Sequence, residues 1–267
     1  MELEELRFPD VLFEVKDSVG YITLNDPRNL NPVTVEMTKH LKECITYCEV
    51  EPSVRCIVLR GAGGTFSAGG NVKAMKDRLD RGYNPAKASL RIGGEWIMRL
   101  RTISKPTIAW IEGAAAGVGL SMAMACDFSI AQEDGKMSFA FVNIGYVPDG
   151  GITHMLMRAV GTARATELLM SGKRFTAKEA AEWGIITKAV PKDQLEGEIQ
   201  KYIKKYSTGP GVAYGQIKRL INSTQFRDLG ECMQTEVDAQ YVCSCSEDHY
   251  NAVTAFVNKE KPVFKGR

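Results

Sequence analysis

The chain has 267 residues, a length at which an α/β fold often forms one unit with a well-buried core. Hydrophobic residues make up 44% and charged residues 25%, a mixture that excludes general disorder. The 34 basic and 32 acidic side chains leave a net charge of +2, which argues against a dedicated nucleic-acid-binding protein. No apolar run reaches the roughly 18 residues that a membrane helix needs, so we expect no membrane partner.

The N-terminal segment and the cysteines indicate the compartment. Residues 1–10 are acidic and polar, which is typical neither of a signal peptide nor of an arginine-rich transit peptide. The seven cysteines are odd in number and irregularly spaced, so we expect reduced thiols and a cytoplasmic protein. Cys243 and Cys245 could be half of a metal site, but no second Cys or His pair lies near them. We therefore expect no metal.

The first half of the chain alternates between strand and helix patterns. Two β-rich runs around a turn predict a hairpin, over residues 11–15 and 20–24. Apolar residues at helical spacing and continuous apolar runs then follow in turn. They predict helices over 34–50, 86–103 and 120–125, and buried strands over 54–59, 106–111 and 127–131.

The second half is mainly helical. Helices are predicted over 161–170, 176–183, 194–205, 212–223 and 229–257. Thr176 and Glu179 fit a capping box at the start of the second of these helices. The order of elements predicts an α/β core over residues 1–200 and a helical region over residues 201–267.

Glycine-rich turns follow two of the buried strands. They are Ser67-Ala68-Gly69-Gly70-Asn71-Val72-Lys73 and Ala116-Gly117-Val118-Gly119, and neither fits a P-loop or a GxGxxG motif. One interpretation is tight turns with close backbone packing. The other is a pair of backbone N–H donors, one per turn, that meet on a carbonyl oxygen. A helix beginning near Val118 would add its positive end to that donor.

Asp149 stands between Pro148 and two glycines in an otherwise apolar stretch. Aspartate in such a place often caps the next helix. The alternative is a general base in an apolar pocket, where desolvation would raise the pKa of its carboxyl group toward neutrality. The residues alone leave both interpretations open.

Taken together, the motifs resemble the crotonase superfamily of enoyl-CoA hydratases and isomerases over nearly the whole chain. The resemblance is carried by residues 26–31, 66–73, 117–127, 145–151, 175–184 and 256–267. It implies a ββα spiral core and a helical C-terminal trimerisation region in a homotrimer or dimer of trimers. It also implies an acyl-CoA substrate, with coenzyme A as part of the thioester and no separate cofactor.

The resemblance assigns roles to the glycine-rich turns. The backbone N–H groups of Gly70 and Val118 would polarise the thioester carbonyl and stabilise an enolate. Typical hydratases carry two glutamates at the positions of Ser121 and Phe141 in this chain. Because neither residue can replace a carboxylate, we do not expect ordinary hydration by that pair.

A carboxylate at the position of Asp149 resembles the isomerases with an aspartate base, and most closely those of phenylacetate degradation. The resemblance implies that Asp149 moves a proton from the α carbon to the γ carbon of an enoyl-CoA. A hydratase or a ring-opening hydrolase of a cyclic acyl-CoA is the alternative. Relatives that dehalogenate arylacyl-CoA resemble the chain less, and the near-neutral charge disfavours the RNA-binding relatives.

The resemblance also implies substrate contacts. Arg28 would bind a phosphate of coenzyme A, and Ala68 and Lys73 would lie near the adenine. The other expected substrate-binding residues are Asn71, Val72, Gly117, Phe141 and Tyr146.

The three histidines are expected to take no part in catalysis. We predict His40 and His249 on surface helices and a structural role for His154.

Overall fold

A computed structural model describes residues 6–85 and 87–267. The start of the predicted N-terminal segment, residues 1–5, and Ala86, the first residue of one predicted helix, lie outside the described residues.

The described strands form two sheets. They are β1 (Val11–Lys16), β2 (Val19–Leu24), β3 (Cys56–Gly61), β4 (Thr107–Ile111), β5 (Ala114–Ala116), β6 (Phe128–Gln132), β7 (Lys136–Ser138), β8 (Arg174–Thr176) and β9 (Lys188–Val190). The larger sheet has the order β1-β2-β3-β4-β6-β9 and is parallel except for the β1–β2 hairpin. In the smaller sheet, β7 pairs in parallel with β5 and antiparallel with β8.

Helices surround both sheets and dominate the C-terminal third. They are α1 (Val35–Val50), α2 (Val72–Asp80), α3 (Lys87–Thr102), α4 (Val118–Ala125), α5 (Ile152–Ser171), α6 (Ala177–Glu182), α7 (Lys192–Thr208), α8 (Gly211–Gln225), α9 (Leu229–Ser244) and α10 (Glu247–Asn258). Within the described parts of the chain, no helix is both long and apolar enough to cross a membrane.

The parallel strands are buried on both faces, which explains why they read as continuous apolar runs. In β3, Ile57 and Leu59 join the main core with α1 and α3. Val58 points the other way, into a second cluster with Leu195 and Ile199 of α7. The sheet is therefore a middle layer between helices, and the prediction of a mixed α/β fold is confirmed.

Local signals placed several helices correctly. Thr34 caps α1, as its side chain accepts a hydrogen bond from the Met37 N–H at 3.0 Å. The capping box is also confirmed: the Thr176 hydroxyl accepts from the Glu179 N–H, and the Glu179 carboxylate accepts from the Thr176 N–H.

One helix prediction was wrong, and another was incomplete. The predicted helix over 229–257 is two helices, because the chain turns after Ser244 and the Ser246 side chain caps α10 by accepting from the His249 N–H. Helix α5 is interrupted by a kink at Gly161, which has a non-helical φ of +76°. The part after the kink agrees with the predicted helix over 161–170, and the part before it, from Ile152, was not predicted. The predicted division at residue 200 falls within α7 and stays a prediction.

A buried ionic network joins α8 to the core. Lys218 is 5% exposed, and its ammonium group donates to Asp127 Oδ2 at 2.7 Å. Arg101 donates to the other oxygen of Asp127 at 2.6 Å. Because Asp127 directly precedes β6 and Arg101 lies on α3, the network fixes α8 against two elements of the core.

We predict that Lys218→Met lowers the free energy of unfolding by about 3 kcal/mol, because it leaves part of a buried charge unpaired. Urea unfolding at pH 7 measures the change. Arg219→Met is the matched control, since Arg219 is the exposed neighbour on the same helix. An equal, small effect of both substitutions would contradict the prediction.

Candidate active site

Asp149 lies in the loop between a 3₁₀ turn (Ala140–Ile144) and α5. Its Oδ2 accepts a hydrogen bond from the Gln240 side-chain amide at 3.0 Å. Its Oδ1 is buried and has no hydrogen-bond partner among the described residues. The hydrogen bond from Gln240 therefore fixes the orientation of the carboxylate, and Oδ1 stays free for a ligand.

Burial raises the pKa of Asp149 to about 7. The hydrogen bond from Gln240 acts in the opposite direction, and the charge of Glu236 adds to the rise. A carboxyl group with this pKa exchanges protons readily near neutral pH, which suits a general base that must also return the proton. The geometry thus favours the general-base interpretation of Asp149.

The capping interpretation of Asp149 is wrong, because Glu236 of α9 takes that role. Glu236 accepts from the Gly151 N–H at 2.7 Å and from the Thr153 N–H at 3.1 Å, at the start of α5. Gly151 is the N-cap residue, and the side chain of Asp149 makes no hydrogen bond to the start of the helix. A carboxylate at a helix N-terminus is stabilised by the free N–H groups and by the helix dipole.

The two positions that hold glutamates in typical hydratases have other functions here. Ser121 is buried, and its hydroxyl donates to the backbone carbonyl of Asp149 at 3.0 Å. Phe141 is 7% exposed and belongs to a cavity wall. Ser121 thus fixes the loop that carries the carboxylate, and Phe141 makes the cavity apolar.

The two glycine-rich turns lie side by side. The backbone N–H of Ser67 donates to the Ala114 carbonyl, and the backbone carbonyl of Ser67 accepts from the Ala116 N–H, both at 3.0 Å. Gly69 has a φ of +94°, and a Cβ atom there would lie 2.7 Å from the Ala116 carbonyl oxygen. Only glycine fits such a position, because L residues avoid this φ and the neighbouring backbone leaves no room.

The N–H groups of Gly70 and Val118 are available to a ligand. Among the described residues, neither has a hydrogen-bond acceptor. Val118 is the first residue of α4, so its N–H also benefits from the positive end of the helix dipole. Such preorganised donors suit an oxygen on which negative charge develops.

Two cavities meet at this point. One has a volume of about 350 Å³ and lies among α1, α2, α3 and α9. The other has a volume of about 660 Å³ and extends toward the smaller sheet and the C-terminal segment. The residues that line both are Gly70, Met75, Val118, Tyr146 and Asp149. The candidate base and both candidate donors therefore face the space that a ligand in either cavity would enter.

The predicted substrate-binding residues divide into two groups. Those on the wall of the larger cavity are Ala68, Val72, Gly117, Phe141 and Tyr146. Those outside both cavity walls are Arg28, Asn71 and Lys73. Arg28 is exposed in a 3₁₀ turn, and Asn71 caps α2 by accepting from the Ala74 N–H at 3.0 Å. Their contacts with coenzyme A stay predictions.

Sequence reasoning missed several residues of the site. Gln240 and Glu236 come from α9, about 90 positions after Asp149, and no local pattern links them to it. Lys136 and Arg174 add positive charge to the larger cavity, from the two paired strands β7 and β8. The same wall also carries Glu260, so the two basic residues offer contacts to a phosphorylated ligand without making the whole wall basic.

The prediction for His249 was wrong. This side chain is fully buried, its Nδ1–H donates to the Ile144 carbonyl at 2.7 Å, and its ring stacks on Tyr146 with centroids 4.5 Å apart. His40 is half-buried and contacts Asp10. His154 is buried against the Gln225 carbonyl, which agrees with a structural role.

No group of three or more His, Cys, Asp or Glu side chains that could hold a metal ion occurs in the described part of the chain. Of the seven cysteines, Cys44, Cys48, Cys56 and Cys126 are buried, and burial raises the pKa of each of these thiols.

Comparisons with known proteins identify the family of this chain. The family model described as enoyl-CoA hydratase/isomerase matches residues 14–267. The chain is 34% identical to 1,2-epoxyphenylacetyl-CoA isomerase of Escherichia coli K12 over 264 residues, which covers 96% of this chain and 98% of that protein. It is 28% identical to the trans-2-decenoyl-acyl-carrier-protein isomerase of Streptococcus mutans, covering 98% of this chain and 100% of the relative.

A solved structure extends the likeness to the fold. The crystal structure of an enoyl-CoA hydratase from Mycobacterium avium subsp. paratuberculosis matches with a TM-score of 0.87 and 31% identity, over 96% of this chain and 98% of that one. The predicted crotonase fold is thereby confirmed. With its family model spanning most of its length, the chain belongs to the enoyl-CoA hydratase/isomerase family of the crotonase superfamily.

Proposed function

We propose that this protein is an enoyl-CoA double-bond isomerase, with Asp149 as the proton shuttle and the N–H groups of Gly70 and Val118 as the oxyanion hole. One observation carries the proposal. Asp149 has a buried oxygen without a partner and lines the same two cavities as both free N–H donors. Proton transfer beside a thioester carbonyl requires a carboxylate base and two hydrogen-bond donors that face the same cavity.

The proposed reaction needs one carboxylate. The thioester oxygen accepts hydrogen bonds from the two N–H groups, and Asp149 takes a proton from the α carbon of a 3-enoyl-CoA. The electron pair of that C–H bond spreads over a dienolate, whose oxygen carries the negative charge. Asp149 then returns the same proton to the γ carbon, and the double bond moves from the 3-position to the 2-position.

Glu236, the other buried acid of the smaller cavity, does not alter this scheme. Glu236 lines the smaller cavity, but both of its oxygens accept hydrogen bonds from the backbone at the start of α5. It is therefore committed to capping that helix. Hydration by two carboxylates would need a second free one, and Ser121 and Phe141 stand where typical hydratases have theirs.

The two cavities suggest how the substrate lies. Ala68, Val72 and the basic residues Lys136 and Arg174 line the larger cavity, which suits the coenzyme A moiety. The smaller cavity on the other side of Asp149 would then hold the acyl group. Both relatives named above are called isomerases, one of a ring epoxide and one of a linear decenoyl chain, so the names leave the acyl group open.

We predict that Asp149→Asn lowers turnover of a linear 3-enoyl-CoA by about 1,000-fold, because the isosteric amide cannot accept the α proton. NMR in heavy water follows the shift of the double bond, and weak entry of deuterium at the α and γ carbons is expected, because Asp149 returns the same proton. Binding of a saturated acyl-CoA should persist in this variant. Asp77→Asn, an exposed acid on α2, is the matched control and should keep full activity.

Other results would contradict the isomerase assignment. Unchanged turnover in Asp149→Asn would remove Asp149 from the reaction. A 3-hydroxyacyl product, or release of free acid, would move the assignment to the hydratase or ring-opening hydrolase alternative.

The pH profile provides a second prediction. Because the deprotonated form of Asp149 is the base, and burial raises its pKa to about 7, kcat/KM should fall about tenfold per pH unit well below pH 7. Above pH 7 it should reach a plateau, as the carboxylate is then fully charged. A profile that stays flat from pH 5 to pH 8 would exclude a base with this pKa.

The hydrogen bond from Gln240 supplies a third prediction. It lowers the pKa of Asp149, so Gln240→Leu should raise that pKa by about one unit and shift the acid limb of kcat/KM upward with it. Carbon-13 NMR of labelled aspartate gives the same shift without turnover. Gln234→Leu, on the same helix and cavity wall, should leave the limb in place.

A further inference from the structure

The turn at residues 26–31 carries part of the family resemblance, and apart from Arg28 none of its residues has a role in the proposed reaction. Its last two residues, Leu30 and Asn31, have φ values of +64° and +52°, in the left-handed region. Two successive residues other than glycine are strained in this region. Such strain persists where the surrounding contacts hold it, and it concentrates at functional sites.

The side chain of Asn31 holds the strained turn in place. Asn31 is fully buried. Its side-chain amide donates to the carbonyls of Ala62 at 2.9 Å and Thr65 at 2.7 Å, in the loop after β3. Its Oδ1 accepts from the Asp26 N–H at 2.9 Å. Asn31 therefore joins the turn after β2 to the loop that leads into the first glycine-rich turn.

The backbone on both sides of Asn31 is bonded to that glycine-rich turn. The Leu30 carbonyl accepts from the Ala68 N–H at 2.9 Å. The Val33 N–H donates to the Gly69 carbonyl at 2.7 Å. Both bonds depend on the path that the chain takes through Asn31.

The bond from Val33 orients the first candidate oxyanion donor. The Gly69 carbonyl and the Gly70 N–H belong to one peptide unit, which is planar and trans. The N–H of such a unit points away from its carbonyl. Because Val33 fixes the carbonyl, the Gly70 N–H is directed to the opposite side, where it has no acceptor among the described residues.

The hydroxyl group of Ser67 connects Asn31 to the same peptide unit. Ser67 is fully buried, and its hydroxyl donates to the Asn31 carbonyl at 2.8 Å. The hydroxyl oxygen also accepts from the Gly69 N–H at 3.2 Å. Gly69 is thus held at its N–H by Ser67 and at its carbonyl by Val33, and Asn31 lies behind both contacts.

The second candidate donor is oriented by its own helix. The Gly117 carbonyl shares a peptide unit with the Val118 N–H. This carbonyl accepts from the N–H groups of Leu120 at 3.0 Å and Ser121 at 3.1 Å, in the first turn of α4. Of the two candidate donors, it is therefore the Gly70 N–H whose direction depends on a distant segment of the chain.

We propose that Asn31 is a positioning residue of the oxyanion hole and acts through Ser67 and Val33 on the peptide unit of Gly69 and Gly70. The inference rests on the proposed function, because it takes the Gly70 N–H as a donor to the thioester oxygen. Asn31 itself lies outside both cavity walls. Its effect is on direction, because hydrogen bonds weaken steeply with angle and an oxyanion hole depends on preorganised donors.

The thioester carbonyl of a bound, unreactive ligand tests the inference. The ligand is butyryl-CoA labelled with carbon-13 at the thioester carbonyl. In the wild type, hydrogen bonds to the carbonyl oxygen should move its resonance downfield on binding. Asn31→Gly, which keeps the left-handed backbone but loses the side chain, should reduce this displacement, and so should Ser67→Ala. In both variants, kcat for a linear 3-enoyl-CoA should fall about 10- to 100-fold, with a smaller change in KM.

Ser244→Ala is the matched control, because Ser244 is also buried and its hydroxyl donates to a backbone carbonyl, that of Tyr241 at 2.7 Å. This variant should keep both the displacement and kcat. Thermal unfolding checks that each variant is folded, and Ser67→Ala decides by itself if Asn31→Gly does not fold. An undiminished displacement in the folded variants would overturn the inference, since a purely structural role changes stability but not the resonance of the bound ligand.

Failure of the inference and failure of the proposed function give different results. A displacement that the folded variants retain keeps the oxyanion hole and overturns the role of Asn31. A displacement that they reduce, in a protein that isomerises no 3-enoyl-CoA, keeps the role of Asn31 and overturns the isomerase. No displacement in the wild type overturns the oxyanion hole and the inference together.

Discussion

The site depends on the buried carboxyl group of Asp149, which the protein holds in place by hydrogen bonds and does not pair with a cation. Gln240 donates to one oxygen of Asp149, and Ser121 donates to the backbone carbonyl of the same residue. No cation pairs with the carboxylate among the described residues, so burial dominates and the pKa of Asp149 rises to about 7. A lysine or arginine beside Asp149 would have the opposite effect and would leave a weak base. The surrounding elements bury this group and place it on the same cavity walls as Gly70 and Val118.

The free carboxylate oxygen of Asp149 depends on residues of the surrounding elements. The loop of Asp149 needs the start of α5 to be capped, and Glu236 supplies the cap from α9 rather than Asp149 itself. Because the cap comes from another helix, the Asp149 carboxylate keeps an oxygen free. The donors face the same space since the turns of Gly69 and Gly117 are packed side by side, which requires glycine at the closer contact. The unpaired carboxylate, the helix cap and the packed glycine turns therefore lie next to the same cavity.

Much of this arrangement was predictable from local patterns. Buried parallel strands read as apolar runs, Thr34 and Thr176 mark helix starts, and the glycine-rich turns stand out at strand ends. The break between α9 and α10 was missed because the apolar spacing continues through Ser246, so the pattern does not show the cap. His249 was misplaced for a related reason, since its neighbours in sequence are polar while its contacts come from the 3₁₀ turn about 100 residues earlier.

The sequence by itself determined the family, the mixed α/β fold, and Asp149, Gly70 and Val118 as candidates, because each of these is written in contiguous residues. Only the tertiary structure showed that Glu236, and not Asp149, caps the start of α5. The pKa of a carboxyl group depends on burial and on distant partners such as Gln240 and Glu236, which no spacing along the chain encodes. The same holds for Lys218, which reads as one more surface lysine of a helix but is buried against Asp127. Whether a charge is paired is a property of the folded chain and not of the local sequence.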